Sequence, residues 1–153
     1  MASLIQPLPV TSVLFACTYN MIRSPMAAGV LRHYHGQRIF VDSVGVREAD
    51  GVDPFAVAAM EELGIDISRH VPKTFEELED TSIDLIVSLS PEAHHRAIEM
   101  TRTMACDVEF WNTFDPTLVD GNREAMLEAY RKVRDGLLQR VMDRFPTSRG
   151  PTV

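Results

Sequence analysis

Lysine and cysteine are scarce in this 153-residue chain, and each shortage excludes something. Of 15 basic residues only Lys73 and Lys132 are lysine, and 22 acidic residues bring the net charge to −7. Phosphate backbones need clustered positive charge, so nucleic acid is not expected as a partner. The arginines of YRKVRDGLLQR (130–140) sit among acidic neighbours and read as a solvated helix face. Two cysteines, Cys17 and Cys106, make no disulfide framework, and a reducing compartment leaves both as thiols. No apolar run approaches the roughly 20 residues that span a bilayer. The N-terminal MASLIQPLPV lacks the basic start and cleavage region of a secretory signal. A cytoplasmic protein without a membrane partner is expected.

Histidine offers no metal site. His94 and His95 are adjacent and would not face each other on a helix, and His33 and His35 lie near a helix end without acidic or thiol neighbours. Neither metal nor cofactor is expected.

What remains is ordinary globular composition, 45% hydrophobic and 24% charged, enough for one domain over 1–145. The tail 146–153 is expected to be disordered. Apolar runs alternate with helical patterns. SVLFA (12–16), RIFVDSV (38–44), IDLIVSL (83–89) and CDVEF (106–110) read as strands. Helices are expected over 24–35, 53–64, 91–100 and 122–145. Ser24-Pro25 has the form of an N-cap followed by proline at the first helical position, and Asp53-Pro54 that of a helix start. Continuous apolar strands alternating with helices predict an α/β fold, a parallel sheet flanked by helices on both faces. In such sheets ligands bind beyond the carboxyl ends of the strands, which is where Cys17 falls.

CTYNMIRSP (17–25) links that first strand to the first helix. A helix N-terminus favours an anion and a thiolate alike. Arg23 can offer two parallel N–H donors to an oxyanion. Ser24 can give its hydroxyl proton to the sulfur, cap the helix, or both. A loop that turns successive N–H groups inward needs a residue at positive φ, yet no glycine stands between Cys17 and Arg23. Asn20 is the inner residue that best tolerates that conformation. It is expected to be left-handed and held by side-chain hydrogen bonds, with Ser43 a candidate partner.

VLFACTYNMIRSPMAAG resembles the active-site signature of the low-molecular-weight protein tyrosine phosphatases. VDSVG (41–45), GIDISRH (64–70), DLIV (84–87) and FDP (114–116) resemble further elements of that family, in order along the chain. The resemblance implies a four-stranded parallel sheet and a two-step, metal-free hydrolysis. Cys17 would attack phosphorus to form a cysteinyl-phosphate, with Arg23 and the loop amides of Thr18, Tyr19, Met21 and Ile22 holding the oxygens. Asp115 would be the general acid. Ser24 would stabilise the thiolate, Asn20 with Ser43 would fix the loop, and His70 would support that network. A phosphotyrosine-bearing protein or a small aryl phosphate is the substrate so implied, for a monomer or weak dimer.

Some positions depart from the family pattern. Tyr19 stands where glycine is usual, either crowding the loop or walling the cleft. The aromatic residues expected after Asp-Pro are replaced by Thr117 and Leu118, and Trp111 and Phe114 are candidates to substitute for missing walls. The thioredoxin-linked arsenate reductases are similar too, around DLIVSLS and FDP. Ser90 stands where they carry a cysteine, and Cys106, opening a strand, suits a buried, inert thiol. An arsenate reductase using an external thiol is therefore the alternative, and a catalytically weak phosphate-binding adaptor a third reading.

Overall fold

In a computed structural model, residues 9–79 and 82–147 are described. The 146–153 tail expectation falls outside them from residue 148 onward. Four parallel strands, β1 (Ser12–Cys17), β2 (Phe40–Gly45), β3 (Leu85–Ser88) and β4 (Asp107–Phe110), form a sheet of order β2-β1-β3-β4. Helices α1 (Arg23–His35), α2 (Pro54–Glu61), α3 (Pro91–Met100) and α4 (Arg123–Arg144) connect and flank them. The expected elements are all present, trimmed or extended by a few residues at their ends.

Alternation along β1 decides which helix covers which face. Val13, Phe15 and Cys17 point into a core built with Met26, Val30 and Leu31 of α1, Met60 of α2, and Tyr130, Val133, Leu137 and Val141 of α4. Leu14 and Ala16 point the other way, onto Phe75, Ile83, Ile86 and Ala93 and Ala97 of α3. Every residue of β1 is buried, which explains its unbroken apolar run. Trp111 is buried in the first core with its ring edge-on to Phe15, so it forms no wall of a cleft. The arginine-rich face of α4 is only partly solvated. Arg134 is buried, bonded to the Ala59 carbonyl and to Glu62. Glu62, held at about 2 by hydrogen bonds from Arg131 and Arg134, pins α2 to α4.

The N-terminus of α1 departs from expectation. The helix begins at Arg23, with Ile22 in the cap position and no side-chain cap. Ser24 and Pro25 are the second and third helical residues. Proline is harmless there because the first-turn N–H groups have no intrahelical partner. The serine hydroxyl is free of capping because it is used elsewhere.

From β1 the chain crosses first to β2 on one side and later to β3 on the other, so a switch point opens beyond the end of β1. Gly45 closes β2 there. A Cβ at Gly45 would lie 2.7 Å from the Tyr19 carbonyl carbon and 2.8 Å from the Asn20 nitrogen. Those are backbone atoms of the loop, which cannot yield as a side chain would. Gly45→Ala is therefore expected to cost about 1–3 kcal/mol, read as a lowered urea midpoint. Unchanged stability would show the approach is not tight.

Candidate active site

Cys17 ends β1 with its sulfur under the loop. Three donors face it: the Asn20 N–H at 3.3 Å, the Ser24 N–H at 3.4 Å and the Ser24 hydroxyl at 2.9 Å. The Ser24 oxygen in turn accepts from Asn20 Nδ2 at 2.8 Å, which leaves its proton free for the sulfur. Three donors converging on one sulfur hold it in a fixed position, an arrangement that suits a nucleophile.

Asn20 holds the loop together. Its φ is 58°, the only positive value outside glycine among the described residues, as the absence of loop glycine requires. Its carboxamide nitrogen donates to Ser24 and, at 2.9 Å, to Ser43 Oγ. Its oxygen accepts from the Lys73 N–H at 3.0 Å and lies 3.1 Å from His70 Nε2. His70 Nε2 also sits 3.0 Å from the Asn20 carbonyl. Both neighbours are acceptors, so the ring carries its proton on Nε2. Lys73 is itself fixed, through its ammonium on Asp42 at 2.7 Å and its carbonyl on the Gly45 N–H. Tyr19 has no positive φ and its ring is exposed, so it does not crowd the loop.

The N–H groups of Tyr19, Met21, Ile22 and Arg23 donate to no described group. They belong to the turn that runs from Cys17 into α1, the arrangement of an anion cradle. The Thr18 carbonyl accepts from Val46 and Arg47, and its hydroxyl donates to Ser90 at 3.1 Å. Arg23 Nη1 donates to the Thr113 carbonyl at 2.9 Å. That bond ties the first turn of α1 to the segment carrying Asp115.

A cleft of about 200 Å³ opens over the sulfur, lined by Cys17, Tyr19, Met21, Ile22, Arg23, Asp53, Asp115 and Thr117. It brings the expected nucleophile, arginine and acid together. Asp115 is half-buried, with Oδ1 bonded to the Thr117 N–H and hydroxyl. Phe114 faces elsewhere and is exposed. Cys106 lies at the opposite end of the sheet, just before Asp107, which is level with Leu85 and Val13. Asp107 is thus about 13 Å down the strands and about 10 Å across from Cys17, and Cys106 lies one residue farther still, too far for a disulfide. Burial and the Asp107 charge push its thiol up.

Asp53 is the residue whose position the sequence conceals. One oxygen caps α2, bonding the Phe55 and Ala56 N–H groups, as the Asp-Pro pattern leads one to expect. The other accepts from the Tyr130 hydroxyl at 3.0 Å, and the Asp53 N–H donates to Met21. Burial first, then the Asp53 charge, pushes the Tyr130 phenol up. A second carboxylate therefore faces the cleft, anchored by α2 and α4. No group of three or more potential metal-ligating side chains occurs among the described residues. No helix there is long and apolar enough to cross a membrane.

His70 gives the site a pH dependence. Burial, the largest influence, holds its ring below the ordinary value of 6.5. As pH falls through 6.5 the unfolded chain takes up a proton that the folded ring resists, so stability is complete above that value and declines below it. The urea midpoint should drop from about pH 7.5 to about 5.5, and drop less in His70→Gln. Equal drops would assign the dependence to other groups.

A family model described as low molecular weight phosphotyrosine protein phosphatase matches residues 12–148. Arsenate reductase of Halalkalibacterium halodurans is 35% identical over 129 residues, covering 84% of this chain and 91% of the relative. Arsenate reductase of Bacillus subtilis is 34% identical over 131 residues, covering 86% and 92%. The glutaredoxin arsenate reductase of Synechocystis is 34% identical over 129 residues, covering 84% and 92%. Among solved structures, a low molecular weight protein tyrosine phosphatase from T. tengcongensis superposes with a TM-score of 0.71 at 26% identity, covering 88% of this chain and 96% of that one. An arsenate reductase in its phosphate-binding state gives 0.67 at 30% identity, covering 88% and 95%. With its fold, its loop and its chain-long likeness in agreement, the chain belongs to the low molecular weight phosphotyrosine protein phosphatase family.

Proposed function

We propose that Cys17 attacks the central atom of a tetrahedral oxyanion held by the loop amides and Arg23, and that the substrate is arsenate, reduced with a thiol from outside the chain. The observation that carries this reading is the 34–35% identity to arsenate reductases over most of both chains. The size of the cleft supports it. About 200 Å³ is the space of roughly seven waters, enough for an oxyanion and a small leaving group.

The Cys17 sulfur forms a bond to arsenic while a hydroxyl leaves as water, with Asp115 supplying the proton. A monothiol then attacks the Cys17 sulfur. The sulfur–arsenic bond breaks with its electron pair going to arsenic, which leaves as arsenite, As(III). The resulting mixed disulfide on Cys17 is reduced by a second thiol. Both thiols come from solution because Cys106 is out of reach and Ser90 stands where an internal relay would need a cysteine.

A second reading, hydrolysis of phosphate monoesters, is favoured by the lack of a second thiol within reach of Cys17 together with Asp115 in the cleft. Water would attack the phosphorus of a cysteinyl-phosphate and Asp115 would take its proton. An aryl phosphate, phosphotyrosine included, would extend beyond the cleft past the Tyr19 ring.

Purified protein should release arsenite from arsenate with glutathione and a glutaredoxin, and Cys17→Ser should abolish this. Cys17-dependent hydrolysis of p-nitrophenyl phosphate without arsenite would select the second reading. Tungstate binding without either turnover would leave only a phosphate-binding adaptor. Under the second reading Asp115→Ala should slow phenyl phosphate about 100-fold or more and activated esters far less. Equal slowing would remove Asp115 as the acid.

A further inference from the structure

The segment from Asn112 to Val119 has two faces. Asp115 and Thr117 line the cleft over Cys17. Asn112, Thr113, Phe114 and Val119 line a second, larger cleft of about 560 Å³, whose other wall is α4. Two rows of α4, each spaced by four residues, build that wall. Ala125, Ala129, Val133 and Leu137 make an apolar floor. Glu128, Lys132, Gly136 and Arg140 make the rim. Gly136 costs a helix interior about 1 kcal/mol relative to alanine, and a Cβ there would meet nothing within 4 Å. Its effect is to leave space between Lys132 and Arg140.

Charge says what fits. Glu128 is paired with Arg131. Lys132 and Arg140 make no ion pair or side-chain hydrogen bond among the described residues, in a chain of net charge −7. An apolar floor beside two unpaired cations is complementary to a small amphipathic anion, an aromatic or aliphatic body bearing one carboxylate or sulfonate. The exposed Phe114 ring offers such a body a flat contact.

We propose that the α4 cleft is a second binding site, for a small amphipathic anion, and that its occupancy is coupled to the oxyanion site through the 112–119 segment. The link is concrete. Thr113 lines the α4 cleft and its carbonyl holds Arg23 at 2.9 Å, while Asp115, two residues on, faces Cys17. A ligand against Thr113 and Phe114 biases where Arg23 and Asp115 stand, and by linkage an oxyanion on Arg23 alters the affinity of the α4 cleft. The coupling rests on the reading of Arg23 as an oxyanion ligand. The binding does not.

The probe is 8-anilinonaphthalene-1-sulfonate, titrated by fluorescence into the folded full chain, with circular dichroism confirming helix content in each variant. Gly136→Leu, which fills the cleft, and the pair Lys132→Glu with Arg140→Glu are each expected to weaken binding about tenfold or more. Unchanged affinity in both would place the probe elsewhere and overturn the site. Saturating tungstate should change probe affinity about fivefold or more, its own binding read as a raised thermal midpoint. Tungstate that raises the midpoint and leaves the probe unaffected would overturn the coupling. Tungstate that does not bind would overturn the oxyanion reading, and with it the coupling, while the cleft is judged on the variants.

Discussion

One carboxamide holds the site in shape. Asn20 must take a left-handed backbone because the loop between Cys17 and Arg23 has no glycine. A non-glycine residue there is held against an unfavourable conformation, and its side chain supplies the restraint. Both amide hydrogens and the oxygen are engaged, by Ser24, Ser43, Lys73 and His70. These partners come from three separate parts of the chain, α1, β2 and the segment holding His70 and Lys73. Folding of β1, β2 and the 70–74 segment is thereby converted into the placement of N–H groups around a single sulfur.

The same dependence runs outward. Asp53 joins the loop to the start of α2 and, through Tyr130, to α4. Arg23 joins the loop to the segment that carries Asp115. Cys17, Arg23 and Asp115, the proposed nucleophile, oxyanion ligand and acid, sit on three different elements, yet each is tied to a neighbour by a hydrogen bond of 2.7–2.9 Å. Such ties are what keep reacting groups in place without paying for reorganisation at the moment of reaction.

The architecture was legible because the two central strands, β1 and β3, are buried throughout and leave continuous apolar runs, while the helices between strands keep their period. Asn20 was legible for a negative reason, the missing loop glycine. Other features escaped local reading because a tertiary contact decides them. Ser24-Pro25 has the pattern of a cap, but the serine is spent on Cys17, so the helix begins one residue earlier. Asp53 has the same kind of pattern and does cap its helix, yet its second oxygen is held by Tyr130, 77 residues away, and the residue lines the cleft. Trp111, an apparent candidate for a cleft wall, packs on Phe15 instead. Substrate choice is the least legible property, since arsenate and a phosphate ester ask the same loop for the same first step.

On the proposed reading, the loop makes Cys17 a nucleophile at the floor of an oxyanion site. Carboxymethylation by iodoacetate near neutral pH, followed site by site by mass spectrometry, tests it most directly. Cys17 is expected to react far faster than Cys106, and phosphate or tungstate should slow Cys17 alone. Equal reactivity of the two thiols, or a Cys17 rate indifferent to either oxyanion, would contradict the account.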